Sequence, residues 1–388
     1  MKTLAILGST GSIGLNTLDL VRRFPGRYRV AGLAAGENLE QLLAQVQEFR
    51  PRLVSVKSAA LAERLEAGLR SQGMETEICW GAEGLVRVAT MAGVEMVISA
   101  VVGAVGLQPT YEALLAGRQV ALANKESMVM AGRLLNETAR RHGGCILPLD
   151  SEHSAIWQSL PGERREFLAR LTLTASGGPF FRCSREELAA VPPAAAVKHP
   201  RWSMGPKISI DSATMMNKAL EIIEARWLFQ VPPVKITALI HPQSIVHSLV
   251  EFCDGAVLAH LARPDMRLPI AYALAYPERL PLPFPVLDLA REGKLEFFAV
   301  DPERFPALEL AYRAMEIGDS GTVALNAANE VAVARFVAGE IGFLDITALV
   351  AEVLEQVPRR DFTSIAAVMD FDRQVRAMMA AGPAADRG

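Results

Sequence analysis

Short apolar runs rich in β-branched residues recur through the first 150 residues of this 388-residue chain, and between them apolar positions return every three or four residues. Lys2–Leu7, Tyr28–Ala35, Leu53–Val56, Thr76–Trp80, Glu95–Val101, Gln119–Asn124 and Cys145–Asp150 predict strands, and the stretches between them predict helices. Strict alternation of this kind implies an α/β fold with a mostly parallel, doubly wound, Rossmann-like sheet. Such sheets bind ligands at the carboxyl ends of their strands, which is where Gly8, Gly36, Asn124 and Asp150 fall.

From residue 151 to about 285 the pattern becomes mixed, with strands expected at Leu171–Ala175, Val234–Ile240, Ser248–Phe252 and Val257–Leu261. Cys253-Asp254-Gly255-Ala256 between the last two reads as a hairpin turn, so this region is expected to be α+β. Four prolines in Tyr276–Pro285, and little periodicity up to 311 apart from Lys294–Phe298, suggest an ordered linker. Four amphipathic stretches follow, at roughly 306–318, 321–339, 344–356 and 364–380, and predict a helical bundle. The expected division is therefore a nucleotide-binding domain at 1–150, a catalytic domain at 151–285 with a flap at 196–206, a linker at 286–311 and a C-terminal bundle at 312–388.

Composition narrows the function classes. A chain that is 51% hydrophobic and 21% charged is globular, and a net charge of −3 without a basic helix gives no footprint for nucleic acid. No apolar stretch approaches the roughly 20 residues of a membrane span, and the first strand begins at residue 2, so a cytoplasmic protein is expected. Cys79, Cys145, Cys183 and Cys253 lack paired spacing and are expected to be buried free thiols.

The candidate chemistry lies in a few short segments. Gly8-Ser9-Thr10-Gly11-Ser12-Ile13-Gly14 joins a strand to a helix, the arrangement that seats a pyrophosphate on a helix N-terminus. Asp150 and Glu152, two apart on an expected strand end, would share a face. On an expected helix, Thr214, Asn217, Lys218 and Glu221 fall within a wedge of about 100° beside an apolar stripe of Met216, Leu220, Ile223 and Trp227. Three carboxylates, Asp150, Glu152 and Glu221, suit a hard cation such as Mg²⁺ or Mn²⁺, with Co²⁺ a further candidate. Lys218, Asn217 and Ser212 near a helix start, with Ser176 in a second small-residue turn, form an anion cradle and imply a phosphorylated substrate. Lys125, just past a strand end, can hold a substrate hydroxyl. Lys198–Pro206 carries His199, Trp202 and Met204 on a turn-rich loop and reads as a closing lid. His241, His247 and His260 are expected in the core or at an interface.

These motifs, with Ala-Asn-Lys-Glu-Ser at 123–127, Asp-Ser-Glu-His at 150–153, Ala-Ser-Gly-Gly-Pro-Phe at 175–180 and Asp-Ser-Ala-Thr-Met-Met-Asn-Lys at 211–218, resemble those of the 1-deoxy-D-xylulose 5-phosphate reductoisomerase family along essentially the whole chain. The resemblance implies an NADPH- and metal-dependent enzyme of the non-mevalonate isoprenoid pathway. It would rearrange 1-deoxy-D-xylulose 5-phosphate and reduce the resulting aldehyde to 2-C-methyl-D-erythritol 4-phosphate, as a homodimer. It further implies Asp150, Glu152 and Glu221 as metal ligands. Ser176, Ser212, Asn217 and Lys218 would hold the phosphate, and Lys125, Ser151, Glu152, Asn217 and Glu221 would surround the sugar oxygens. His199, Trp202 and Met204 would form the flap over the substrate, with Lys125 and His199 joining the three acids as catalytic residues. Thr10, Gly11, Ser12, Ile13, Gly36, Glu37, Asn38, Asn124, Glu126 and Gly205 would contact the cofactor. Glu37 stands where an acid accepts the ribose hydroxyls of NAD, so the NADP phosphate is expected to rest on neighbouring backbone and Asn38. A metal-free dehydrogenase and a non-catalytic sugar-phosphate sensor are the other readings these residues leave open.

Overall fold

Seven parallel strands answer the seven apolar runs in a computed structural model that describes residues 1–160, 165–198 and 205–380. They are β1 (Lys2–Leu7), β2 (Tyr28–Ala34), β3 (Leu53–Val56), β4 (Glu77–Trp80), β5 (Met96–Ser99), β6 (Gln119–Leu122) and β7 (Cys145–Pro148), in the spatial order β4-β3-β2-β1-β5-β6-β7. A second sheet, ordered β11-β10-β8-β9, consists of β8 (Leu168–Ala175), β9 (Ile236–Ile240), β10 (Val246–Phe252) and β11 (Val257–Leu261). Here β8 and β9 are parallel and the other pairs antiparallel. The expected hairpin joins β10 to β11, with Gly255 at φ 85° and the Phe252 N–H donating to the Ala256 carbonyl.

The helices of the first half are α1 (Ser12–Arg23), α2 (Leu39–Phe49), α3 (Ala59–Ser71), α4 (Gly81–Thr90), α5 (Leu107–Leu115), α6 (Lys125–His142), α7 (Ser151–Ser159), α8 (Arg185–Ala189) and α9 (Pro193–Ala196). The second half has α10 (Pro206–Ala213), α11 (Met216–Phe229), α12 (Arg267–Ala275), α13 (Leu289–Glu292), α14 (Ala307–Ile317), α15 (Asp319–Val337), α16 (Asp345–Gln356) and α17 (Ile365–Ala380). Residue contacts divide the chain into two compact units. One comprises Met1–Ser127, Arg133–Asp150 and Asp265–Leu282; the remaining described residues form the other.

In the first unit the reversal of strand order falls between β1 and β5, and β1 and β5 are buried throughout their shared register. This is the topological switch point at which open α/β sheets bind ligands. In the second unit α15 packs against α14, α16 and α17, and its buried residues surround the helix axis. It is therefore the bundle's central helix and not the amphipathic one its stretch suggested. The expected linker is ordered by pairing: Phe298 bridges Ile240, and Phe297 stacks on His241 with ring centroids 4.6 Å apart. The flap residues His199, Trp202 and Met204 lie outside the described residues. Among the described residues no helix is long and apolar enough to cross a membrane.

Three further expectations are corrected. Strand β7 stops at Pro148 and Glu152 belongs to the first turn of α7, so Asp150 and Glu152 do not alternate along one strand. Proline has no N–H to continue the ladder, and Asp-Ser is a helix-start signal. The polar wedge at 214–221 is likewise not on one helix, because Thr214 and Met215 separate α10 from α11, with Met215 left-handed at φ 64°. All four cysteines are free, but only Cys79 is buried: Cys145 and Cys183 are half-buried, and Cys253 is exposed because it lies in the hairpin turn.

Candidate active site

At the carboxyl end of β1 the chain turns through Gly8 at φ 87°, where a Cβ would lie 2.5 Å from the Ala100 carbonyl oxygen. A Cβ on Gly14 would lie 2.4 Å from the Gly8 carbonyl oxygen, so only glycine at both positions lets α1 start this close to the strand. Gly11 and Ser12 are exposed at the opening of α1, with Thr10 and Ile13 half-buried beside them. No acidic residue occupies the first turn of α1, which leaves its positive dipole end for an anion. The residues here fit a dinucleotide pyrophosphate.

Gly36, Glu37 and Asn38 follow β2, all exposed, and the Asn38 side chain caps α2 by accepting from the Gln41 N–H at 3.1 Å. Asn124 is buried after β6. Its amide donates to the carbonyls of Val101 (2.9 Å) and Gly103 (3.0 Å) and to the Glu126 carboxylate (2.9 Å), fixing the loop beyond β5. Lys125 is no surface charge: its ammonium, 8% exposed, contacts Asp150 Oδ2 at 2.5 Å. Asp150 stands one residue before α7 at the carboxyl side of the sheet.

In the second unit the buried Lys218 ammonium donates to Glu152 Oε1 at 2.7 Å and also to Glu221 Oε2. Asn217 donates to the other oxygen of Glu221, and the Ser151 hydroxyl donates to Glu152. The Ser248 hydroxyl donates to the Glu152 carbonyl at 2.8 Å and anchors the start of α7 on β10. Glu221 is fully buried and Lys218 nearly so, so this polar face of α11 is enclosed. Behind it, His153 Nε2 lies 2.9 Å from the Glu221 carbonyl and Nδ1 lies 3.3 Å from Glu224 Oε2. The carbonyl can only accept, so Nε2 carries hydrogen and any further proton is shared with Glu224. The sequence placed His153 beside the acidic pair without giving it a role, and it did not single out Glu224. The available signal was Glu224 one helical turn beyond Glu221.

The small-residue turn lies against the same cluster. Gly177 and Gly178 have φ of 82° and 64°, and a Cβ on Gly178 would be 2.8 Å from the Ser212 carbonyl oxygen. The Gly178 N–H donates to the Ser176 hydroxyl at 3.2 Å, so the turn that carries Ser176 rests against the Ser212 carbonyl, although Ser212 lies in the last turn of α10 and does not open a helix. The helix start is instead at Asn217 and Lys218, in the first turn of α11, which holds no acid. A lysine there opposes the helix dipole unless an anion joins it. Gly205 is exposed and caps α10.

Glu152 and Glu221 each offer an oxygen within 4.8 Å of the other. Hard carboxylate donors this close together fit a divalent cation, and the Lys218 ammonium already holds a positive charge against both. Burial, with Glu152 opposing it, lowers the His247 imidazole to about 4, so a neutral ring lies near the acids. His241 is lowered too, by burial. Both fit the expectation of core histidines.

Comparison with known proteins places this geometry in context. A model of 1-deoxy-D-xylulose 5-phosphate reductoisomerase matches residues 4–132, and models of that family's C-terminal domains match residues 146–229 and 261–378. The 1-deoxy-D-xylulose 5-phosphate reductoisomerase of Chlorobium phaeobacteroides is 52% identical over 378 residues, covering 97% of this chain and 98% of the relative. That of Geobacter sp. is 51% identical, covering 96% of each. A crystal structure of DOX-P reductoisomerase in complex with NADPH, fosmidomycin and magnesium aligns with a TM-score of 0.95 at 43% identity, covering 98% of both chains. The Zymomonas mobilis enzyme in complex with NADPH aligns with a TM-score of 0.90 at 43% identity and the same coverage.

Proposed function

The chain belongs to the 1-deoxy-D-xylulose 5-phosphate reductoisomerase family, and from that premise we infer what its residues do. It is an NADP-dependent oxidoreductase that uses a divalent metal ion and NADPH to convert 1-deoxy-D-xylulose 5-phosphate to 2-C-methyl-D-erythritol 4-phosphate for isoprenoid synthesis. The observation that carries the site assignment is the enclosed Glu152–Lys218–Glu221 cluster beside the Ser176 turn.

Asp150, Glu152 and Glu221 are the residues that would hold the metal, with Mg²⁺, Mn²⁺ or Co²⁺ able to fill the role. The bound ion supplies Lewis-acid polarisation of the substrate's ketone and hydroxyl oxygens. Bound NADPH supplies the hydride that reduces the rearranged aldehyde. Ser176, Ser212, Asn217 and Lys218 bind the phosphate; the Lys218 ammonium has three donors, enough to keep a carboxylate while donating to a phosphate oxygen. Lys125, oriented by Asp150, donates a hydrogen bond to a hydroxyl oxygen of the sugar, and Ser151 orients Glu152. His199, Trp202 and Met204 close over the sugar and exclude water. Thr10 to Ile13, Gly36 to Asn38, Asn124, Glu126 and Gly205 border the cofactor. The functional division is 1–150 for cofactor, 151–285 for metal and substrate, 286–311 as linker and 312–388 as bundle. The enzyme is a cytoplasmic homodimer that acts as an isomerase before it acts as a reductase.

The test follows NADPH absorbance and product mass with the purified protein. Chelation should abolish turnover, and adding back Mg²⁺ or Mn²⁺ should restore it. Glu221→Gln should lower kcat/KM by about a hundredfold or more. Full turnover after complete metal removal would overturn the metal's role, and absence of NADPH consumption would overturn the whole reading.

A further inference from the structure

Glu37 poses a charge problem for the cofactor site. It ends the segment after β2, where a carboxylate favours ribose hydroxyls and repels the 2′-phosphate that distinguishes NADP from NAD. Lys57 Nζ lies 2.6 Å from Glu37 Oε1, and the two side chains are 67% and 70% exposed. Resting on the functional reading above, we propose that Lys57 is the specificity residue for NADPH, its ammonium taking the 2′-phosphate that Glu37 alone would turn away.

Backbone geometry sets the pair in place. Strands β2 and β3 are parallel neighbours, with Ala34 opposite Ser55. Beyond their ends the Ala35 N–H donates to the Ser55 carbonyl at 2.9 Å, and the Lys57 N–H donates to the Gly36 carbonyl at 3.3 Å. The two loops are thus stitched together on the side of the sheet where α1 opens, and Lys57 stays beside Glu37 even though its side chain is in solvent. Hydrogen bonding and then charge from Lys57 hold the Glu37 carboxyl below the usual carboxylate range.

An exposed pair of this kind contributes little to folding, which leaves the lysine free to change partners. An ammonium carries three donors and can keep Glu37 while reaching a phosphate oxygen. Ser58, next along, is the N-cap of the 13-residue helix α3 and makes no capping bond with its side chain, so its hydroxyl is also available to an anion. The positive end of α3 points the same way. Asn38, the neighbour expected to carry the phosphate, already has its carbonyl oxygen on the Gln41 N–H and its amide on the Gln41 side chain. Glu37 then acts as a positioning residue that keeps the lysine extended across the β2 end.

The experiment compares wild type with Lys57→Ala, Lys57→Glu, Lys57→Arg and Glu37→Gln. Titration calorimetry with adenosine 2′,5′-bisphosphate and with 5′-AMP reads the 2′-phosphate without turnover. Wild type should prefer the bisphosphate; Lys57→Ala should weaken it by about tenfold and leave 5′-AMP within about twofold, Lys57→Glu should weaken it further, and Lys57→Arg should retain most of it. Glu37→Gln should strengthen the bisphosphate. In turnover, Lys57→Ala should raise the KM for NADPH by about the same factor with kcat and the NADH constants nearly unchanged. A preference for the bisphosphate that survives both Lys57→Ala and Lys57→Glu within about twofold overturns the assignment. A wild type that turns over substrate with NADPH while the Lys57 variants behave alike would reject this inference alone. A wild type that consumes no NADPH would reject the functional reading beneath it.

Discussion

At the residue scale, His247 shows how an enclosed site ties stability to pH. Its ring is buried, its Nδ1 lies 3.1 Å from the Ile245 carbonyl and it meets His260 edge-on at 5.8 Å. Burial lowers it to about 4 despite the nearby Glu152 carboxylate, whereas an unfolded histidine titrates near 6.5. Between those values the unfolded chain binds the extra proton, so the neutral native ring contributes stability above 6.5 that is lost as pH falls toward 4. From pH 6.5 to 5 the loss should be about 2 kcal/mol. Urea unfolding at both pH values should show it in wild type, and His247→Gln should show a correspondingly shallower slope. The sequence marked His247 as a core residue because it stands in an apolar run, but spacing carries no information about which acid will lie across from it.

At the element scale, the break between α10 and α11 is the feature the sequence concealed. An apolar stripe at helical spacing continues through Met216, Leu220 and Ile223, so periodicity alone extends one helix across the break. Left-handed Met215 is the exception, and a buried methionine at positive φ is strained unless packing fixes it. What fixes α10 lies far away in sequence. Asp211 accepts from Lys207 at 2.8 Å and from the Asn329 amide of α15 at 2.8 Å, both of its bonds enclosed. The central bundle helix thereby holds the segment that carries Ser212. Asn329→Leu removes a buried donor from a carboxylate and should cost about 1.5–3 kcal/mol in urea unfolding. The change should also raise the KM for substrate more than it lowers kcat; a KM equal to wild type would reject the link to Ser212. The four bundle helices themselves were legible, α14, α16 and α17 by length and period and α15 by length, and the linker was legible only as ordered chain because its fixing contacts, Phe297 on His241 and Phe298 on Ile240, come from another part of the sequence.

For the whole molecule, the parallel, doubly wound character of the first sheet follows from local pattern, since strands alternating with helices favour parallel pairing, whereas the strand order and the mixed pairing of the second sheet come from contacts distant in sequence. The acids were legible as residue types at promising spacings, but the route to them was not: Glu152 reaches its partners from a helix and not from a strand, because Pro148 ends the ladder first. Association beyond the single chain has a visible candidate in the second sheet. Its outer strand β11 exposes Val257 and Leu258 at 51% and 46%, and an unpaired apolar edge seeks a partner. Light scattering of dilute wild type should give the mass of two chains, and Leu258→Lys should shift it toward one; a single-chain mass for wild type would reject the homodimer. The ammonium of Lys218 has a consequence of another kind. By bridging Glu152 of α7 and Glu221 of α11, it fastens two helices to one another, so its replacement should loosen the floor of the cavity as well as its grip on an anion.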